Sequence, residues 1–165
     1  MNKAELIKAI ETLGKMSDDS SLTDSELKQY ENIIDQAESC IGADLVIPII
    51  NLFGYGEGHG VYWSAIHLLE KLPADVVDPL LIKALSFSNP GSQMWSALML
   101  GRSRNRQAIV ELKKLLDSSM ALVRRNAVIA IGMIGEENSV KSLSTLIEDE
   151  SAEVRGEVER VLKQR

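Results

Sequence analysis

The sequence has very little cysteine and few aromatic residues. Its 165 residues include one cysteine, Cys40, and aromatic residues make up only 4% of the chain. A single cysteine excludes an internal disulfide framework and a zinc site built from cysteines, so we expect a reducing, cytoplasmic setting. Because aromatic side chains are scarce, the hydrophobic core must be built mainly from aliphatic residues.

Long hydrophobic runs are also missing. No apolar stretch reaches the roughly 18 residues that a membrane-spanning helix needs, and residues 1–16 carry polar side chains in every helical turn. We therefore expect no signal peptide and no membrane partner. The hydrophobic fraction of 45% and the charged fraction of 25% are ordinary for a folded domain and argue against global disorder.

Acidic residues outnumber basic ones, and the excess lies in the first half of the chain. The formal charge is −6 overall, with −5 over residues 1–40, −3 over residues 41–75 and +2 over residues 76–165. Acidic surface repels nucleic-acid phosphates and favours a basic protein partner, so nucleic acid is not an expected ligand. Solubility alone explains the acidic half equally well.

The chain contains an internal repeat with a period of 31 residues. A shift of this length aligns residues 110–132 with residues 141–163. The pairs in register include Leu112 with Leu143, Val123-Arg124 with Val154-Arg155, Leu100-Gly101 with Ile131-Gly132, and Pro48 with Pro79. The tripeptide Trp63-Ser64-Ala65 recurs as Trp95-Ser96-Ala97 at a shift of 32.

Each repeat is predicted to form two helices. In residues 106–137, apolar side chains recur twice at helical spacing, on either side of Asp117-Ser118-Ser119. Asp78-Pro79 and Asn89-Pro90 each place an N-cap acceptor before a proline, so each is predicted to begin a helix. Close helix packing or a helix end is the expected reason for Gly101, Gly132 and Gly135.

The first forty residues do not share the repeat. Residues 23–26, Thr-Asp-Ser-Glu, form a capping box that predicts a helix over about 24–40, preceded by a helix near 2–15. We expect this pair to cap the array, because a terminal unit needs a polar outer face. The charge-rich stretch 148–164 is expected to close the other end in the same way.

Two segments resemble the second helix of HEAT-like repeats. They run from Val123 to Glu136 and from Asp149 to Leu162, and both have Val-Arg after a turn and then small and hydrophobic residues. The resemblance implies an all-α fold, a right-handed α-solenoid of about four two-helix repeats after an N-terminal helical pair at 1–40. The implied repeats of this single domain span residues 41–75, 76–105, 106–137 and 138–165. It also implies that Arg124 and Arg155 are structural and pair with the acidic turn.

Catalytic motifs are missing from the sequence, and we predict no enzyme, catalytic residue, metal or cofactor. His59 and His67 lie eight residues apart in a glycine-rich turn and a predicted helix, which is a poor spacing for metal ligands. Cys40 has no basic neighbour in the sequence, so it is predicted to be a half-buried small hydrophobic residue.

Residues 54–60, Gly-Tyr-Gly-Glu-Gly-His-Gly, have glycine at every second position. This spacing is wrong for a dinucleotide-binding fingerprint, and the segment follows a predicted helix rather than a strand. Glycine increases the entropy cost of folding, so all four need a structural reason or some need a functional one. A lengthened turn and a binding loop are both open at this point.

The repeat register also predicts which side chains of the second helices face away from the core. Second helices of HEAT-like stacks line the concave side, and Trp, Tyr and Arg are typical of protein interfaces. The candidate partner-binding residues are Tyr55, Glu57, His59, Tyr62, Trp63, Met94, Trp95, Arg125, Asn126, Ile129 and Glu157. The alternative is that both tryptophans fill the thin aliphatic core.

The expected function is that of a non-catalytic module that binds another protein on its concave face. Small acidic HEAT-like proteins resemble immunity proteins of toxin systems, which suggests a role in neutralising a basic toxin domain. HEAT-like lyases, chromophore-handling proteins and DNA-lesion-binding proteins are the alternative class. A homodimer is possible if both tryptophans are exposed.

Overall fold

Residues 2–164, the part of the chain that the computed structural model describes, are all-helical. No strand occurs in this range, which confirms the all-α class. Ten α-helices were found there: α1 (Lys3–Leu13), α2 (Asp24–Glu38), α3 (Ala43–Leu52), α4 (Tyr62–Leu69), α5 (Ala74–Ala84), α6 (Pro90–Arg102), α7 (Ile109–Leu115), α8 (Ala121–Ile134), α9 (Glu137–Ser142) and α10 (Ala152–Lys163). Short 3-10 turns cover Gly58–Gly60, Arg106–Ala108 and Leu143–Leu146.

The chain divides into two compact units, and the division falls within α5, after Leu80. The first unit contains α1 to α4, and the second contains α6 to α10. Within the described residues, none of the helices is both long enough and apolar enough to span a bilayer.

In the first unit, α1 packs against α2 and α3, and α2 packs against α4. Asn2 and Thr23 begin α1 and α2 with capping boxes, in which the third helical residue, Glu5 or Glu26, bonds back to the cap. The capping box predicted at residues 23–26 is thus confirmed, and α2 ends at Glu38. The side chains that fill the core are aliphatic, together with Tyr30, Phe53 and Tyr62.

In the second unit, α6 packs against α8, and α8 packs against α7 and α10. A Cβ at Gly101 would lie 2.7 Å from the Cα of Ala130, and one at Gly132 would lie 2.7 Å from the side chain of Val161. Glycine therefore lets each of these helices approach the next one, at positions 31 residues apart. Gly135 ends α8 with φ +73°, in the left-handed region. The predicted reasons for all three glycines are confirmed.

The two prolines predicted to begin helices behave differently. Asn89 caps α6 by accepting the N–H of Gly91 at 3.0 Å, with Pro90 at the first helical position as predicted. Asp78-Pro79, in contrast, lies inside α5, so the prediction of a helix start there is wrong. The first turn is already formed upstream, where Val76 and Val77 both donate to the carbonyl of Pro73. Pro79 is the sixth residue of α5, and its repeat equivalent Pro48 is the sixth residue of α3.

Candidate functional site

The glycine loop, residues 54–60, is held by two consecutive aspartates that precede α2. The carboxylate of Asp19 accepts the backbone N–H of Glu57 through Oδ2 and that of Gly58 through Oδ1, both at 2.8 Å. Asp18 Oδ1 accepts the N–H of Tyr55 at 3.1 Å, and the N–H of Asp19 donates to the Tyr55 carbonyl at 3.2 Å. We call these contacts the aspartate clamp. They fix the loop over most of its length.

The clamp accounts for the glycines of the loop. A Cβ at Gly54 would lie 2.4 Å from the Ser17 carbonyl oxygen, and one at Gly56 would lie 2.2 Å from the Asp19 carboxylate carbon. A Cβ at Gly58 would meet the Tyr62 ring at 2.5 Å, and Gly60 has φ +92°. Each glycine thus has a structural reason, through close approach or left-handed backbone. The number of glycines is no longer an argument for a binding loop.

Tyr62 anchors the loop from the other side. Its hydroxyl accepts the N–H of Gly54 at 3.0 Å, and its ring packs edge-on against Phe53 and Tyr30, with ring centroids 5.0 and 5.3 Å away. Burial is the main cause that raises the pKa of Tyr62 to about 12. The expectation that Tyr62 is exposed is wrong, because its ring completes the core of the first unit.

The outer side of α4 and of the glycine loop is open to solvent. Trp63 retains 37% of its surface, and its ring lies 6.0 Å from that of His67, one helical turn away. Glu57 and His59 are exposed, and Tyr55 is half-buried. These four predicted contact residues of the first unit are therefore accessible at least in part, and their role in binding stays a prediction.

In the second unit, three of the six predicted contact residues are buried. Trp95 and Met94 each retain 3% of their surface, and Asn126 donates from Nδ2 to the Met94 carbonyl at 3.2 Å. The expectation of exposure is wrong for these three, because α6 is covered along residues 94–97 without a break. Arg125, Ile129 and Glu157 are half-buried, and Glu157 pairs with Arg160.

Arg124 forms a buried ion pair with the acidic turn. Its Nε and Nη2 donate to the two carboxylate oxygens of Asp149, both at 2.8 Å, and its Nη1 donates to the Ser118 carbonyl at 2.7 Å. Hydrogen bonding to Arg124 lowers the pKa of Asp149, and the same bonds raise the pKa of Arg124. Arg155 donates to the carbonyls of Asp149 and Glu150. These contacts are structural, as the sequence resemblance implied.

The titratable residues between positions 2 and 164 do not form a recognisable chemical centre. No group of three or more His, Cys, Asp or Glu residues in this range could hold a metal ion. His59 and His67 are both exposed. Cys40 is half-buried, as predicted, and its thiol lies 3.8 Å from the Gln36 carbonyl oxygen.

Sequence reasoning missed the aspartate clamp and an acidic groove between α2 and α4. The groove is lined by Glu31, Asp35, Gly60, Val61 and Ser64. The four-residue spacing of Glu31 and Asp35 in a predicted helix was a signal that could have indicated one acidic face. The clamp left no such signal, because it joins residues 37 to 39 positions apart.

Comparison with known proteins gives one match. A family model described as HEAT repeats matches residues 77–163, slightly more than half of the chain. No curated protein matches the sequence.

Proposed function

Because the chain belongs to the HEAT repeat family, we propose that it is a non-catalytic module that binds a basic protein. HEAT repeats generally mediate protein–protein interaction. The partner's charge is the finer part of the proposal, and the charge of the first unit supports it. Residues 1–80 hold fourteen acidic and five basic residues, a net charge of −9, whereas residues 81–165 hold ten acidic and thirteen basic residues, a net charge of +3.

The first unit is the proposed docking region. It combines the strong negative charge with the exposed Trp63, a residue type that often supplies much of the binding energy at an interface. Negative charge accelerates encounter with a basic partner and is screened by salt. We retain Tyr55, Glu57 and His59 as contacts beside Trp63.

The sharpest form of the proposal concerns a toxin domain. A basic toxin, covered at its active site by this protein in the cytoplasm, would fit the acidic first unit. An α-solenoid of about four repeats, with Arg125, Ile129 and Glu157 on the concave side, remains part of the same proposal.

Site-specific photo-crosslinking in cells tests the proposal. Benzoylphenylalanine replaces His67, on the open side of α4, and in a control protein it replaces Glu153, an exposed residue of α10. We expect a basic protein to be captured at position 67 and not at position 153, and its affinity for the purified chain to fall as salt rises. An acidic partner, or equal capture at both positions, would contradict the proposal. Salt-dependent binding of duplex DNA without a protein partner would favour the DNA-lesion alternative, and a crosslinked second copy would indicate a homodimer.

A further inference from the structure

The groove between α2 and α4 has two carboxylates on one wall. Glu31 and Asp35 lie one helical turn apart on α2, and both are exposed. Among the described residues, neither carboxylate forms an ion pair, whereas Glu38 on the same helix pairs with Lys71. The groove has a volume of about 340 Å³, which is large enough for the end of a long side chain. Its negative charge is uncompensated within the first unit.

The opposite wall is formed by Gly60, Val61 and Ser64. Trp63 lies three residues after Gly60 and directly before Ser64, so two groove-lining positions are its neighbours on the helix surface. The wall is preorganised, because the aspartate clamp and the Tyr62 hydroxyl hold the chain that leads into it. An exposed indole and two carboxylates therefore lie around one preformed groove.

A buried polar atom beside the groove is unsatisfied. The hydroxyl of Tyr30, the residue before Glu31, is fully buried and has no hydrogen-bond partner within the described residues. Its polar neighbour is Ser64, whose own hydroxyl donates to the Val61 carbonyl at 2.7 Å. Buried hydroxyls are normally hydrogen-bonded. The wall of the groove is thus incomplete in its hydrogen bonding, which is the state expected of a site without its occupant.

We infer that this groove receives an arginine side chain presented by the basic partner, an inference that rests on the proposed function. The guanidinium is planar and carries several donors, so it can bond to both carboxylates while its flat face stacks on an indole. The methylene stem can lie on Val61 and Trp63. A lysine ammonium matches the charge of the groove but neither its two separated acceptors nor the aromatic face.

Nuclear magnetic resonance with small probes tests the inference on the full chain. The probe is N-acetylarginine amide, and the isosteric control is N-acetylcitrulline amide, which lacks the charge. We expect the arginine probe to shift the Trp63 indole N–H and the Gly60 and Ser64 amides, and the citrulline probe to leave them unchanged. The Trp63 signal is assigned with Trp63→Phe.

Matched variants separate a groove from general attraction to an acidic protein. Glu31→Gln with Asp35→Asn removes two charges from the groove, and Glu11→Gln with Asp75→Asn removes two exposed charges of the same unit elsewhere. We expect the first pair to weaken arginine binding about three- to tenfold and the second pair to change it less than twofold. Equal weakening by both pairs, equal shifts with citrulline, or equal affinity for N-acetyllysine amide would each overturn the inference.

The inference and the proposed function fail separately. If the crosslinked partner binds the purified chain normally while the arginine probe leaves the groove signals unmoved, the groove assignment is wrong and the binding function stands. If the probe binds as expected but no basic protein is captured at position 67, the groove chemistry stands and the proposed function is wrong.

Discussion

Removing the Asp19 carboxylate should release the glycine loop. In Asp19→Ala, the N–H groups of Glu57 and Gly58 lose their acceptors, while the backbone bond between Asp19 and Tyr55 remains. Hydrogen bonds to a charged group contribute about 1.5–3 kcal/mol each when buried. The Glu57 bond is exposed and the Gly58 bond is partly buried. Because water can replace part of each, we expect a total loss of about 2 kcal/mol in the free energy of unfolding.

Asp19→Asn provides the graded comparison. The amide keeps one acceptor oxygen but turns an NH₂ group towards a backbone N–H, so one of the two bonds survives. We expect this variant to lose about 1 kcal/mol, roughly half of the loss in the alanine variant. Glu11→Gln, an exposed change in α1, serves as the control and should stay within about 0.5 kcal/mol of the parent.

Urea unfolding measures these differences. With an m-value of about 2 kcal/mol per molar urea, the alanine variant should unfold at a midpoint about 1 M lower. Amide hydrogen exchange localises the effect, because residues 57 and 58 should exchange faster while residues of α8 in the second unit should not. If Asp19→Ala unfolds within 0.5 kcal/mol of the parent and these two amides exchange at unchanged rates, the clamp does not hold the loop and our reading of its glycines is wrong.

Three further predictions concern packing and charge. Gly101→Ala should cost about 2 kcal/mol, because the new methyl meets the backbone of α8, whereas Gly156→Ala, with nothing within 4 Å, should stabilise α10 by up to about 1 kcal/mol; urea midpoints that move in the same direction would refute this packing argument. Arg124→Met should cost about 3 kcal/mol because it leaves the Asp149 carboxylate buried without its partner, and Asp149→Asn added to it should recover part of the loss in a double-mutant cycle. Hydrogen bonds from Ser17 and then Thr23 lower the pKa of Glu26 to about 2, so its contribution to stability is present above the ordinary pKa of 4.5 and is lost as the pH falls towards 2. Glu26→Gln should therefore flatten the acid side of the stability profile measured by urea unfolding, and an unchanged slope between pH 5 and 2 would contradict the assignment.

The repeat architecture of the second unit was readable from the sequence because it depends on local spacing. Apolar residues at helical intervals, the Asn89-Pro90 start and the glycines at 101 and 132 all act within one helix or between successive helices. Asp78-Pro79 misled because the same dipeptide chemistry suits a helix start and also occurs within the second turn of a helix. The equivalent place of Pro48 in α3 shows that this internal proline belongs to the repeat.

The exposure of aromatic residues was much harder to predict. Trp63 and Trp95 stand in the same tripeptide at matching repeat positions, yet one retains 37% of its surface and the other 3%. Periodicity predicts one buried face per helix, but residues 94–97 of α6 are all buried, including Ser96. Burial of that kind depends on what covers the second face, and no pattern within the helix records it.

Charge is the property that links sequence, structure and proposed function most directly. The sequence shows that acidic residues are concentrated early in the chain, and the structure shows that they belong to one compact unit with its own core. Long-range attraction depends on this net charge and draws a basic partner towards the first unit before any contact forms. Specific docking then requires features that net charge does not provide, namely a preformed groove, an exposed indole and carboxylates without internal partners. Because Glu31, Asp35 and Trp63 supply these features on the acidic unit itself, attraction and docking would act at the same surface.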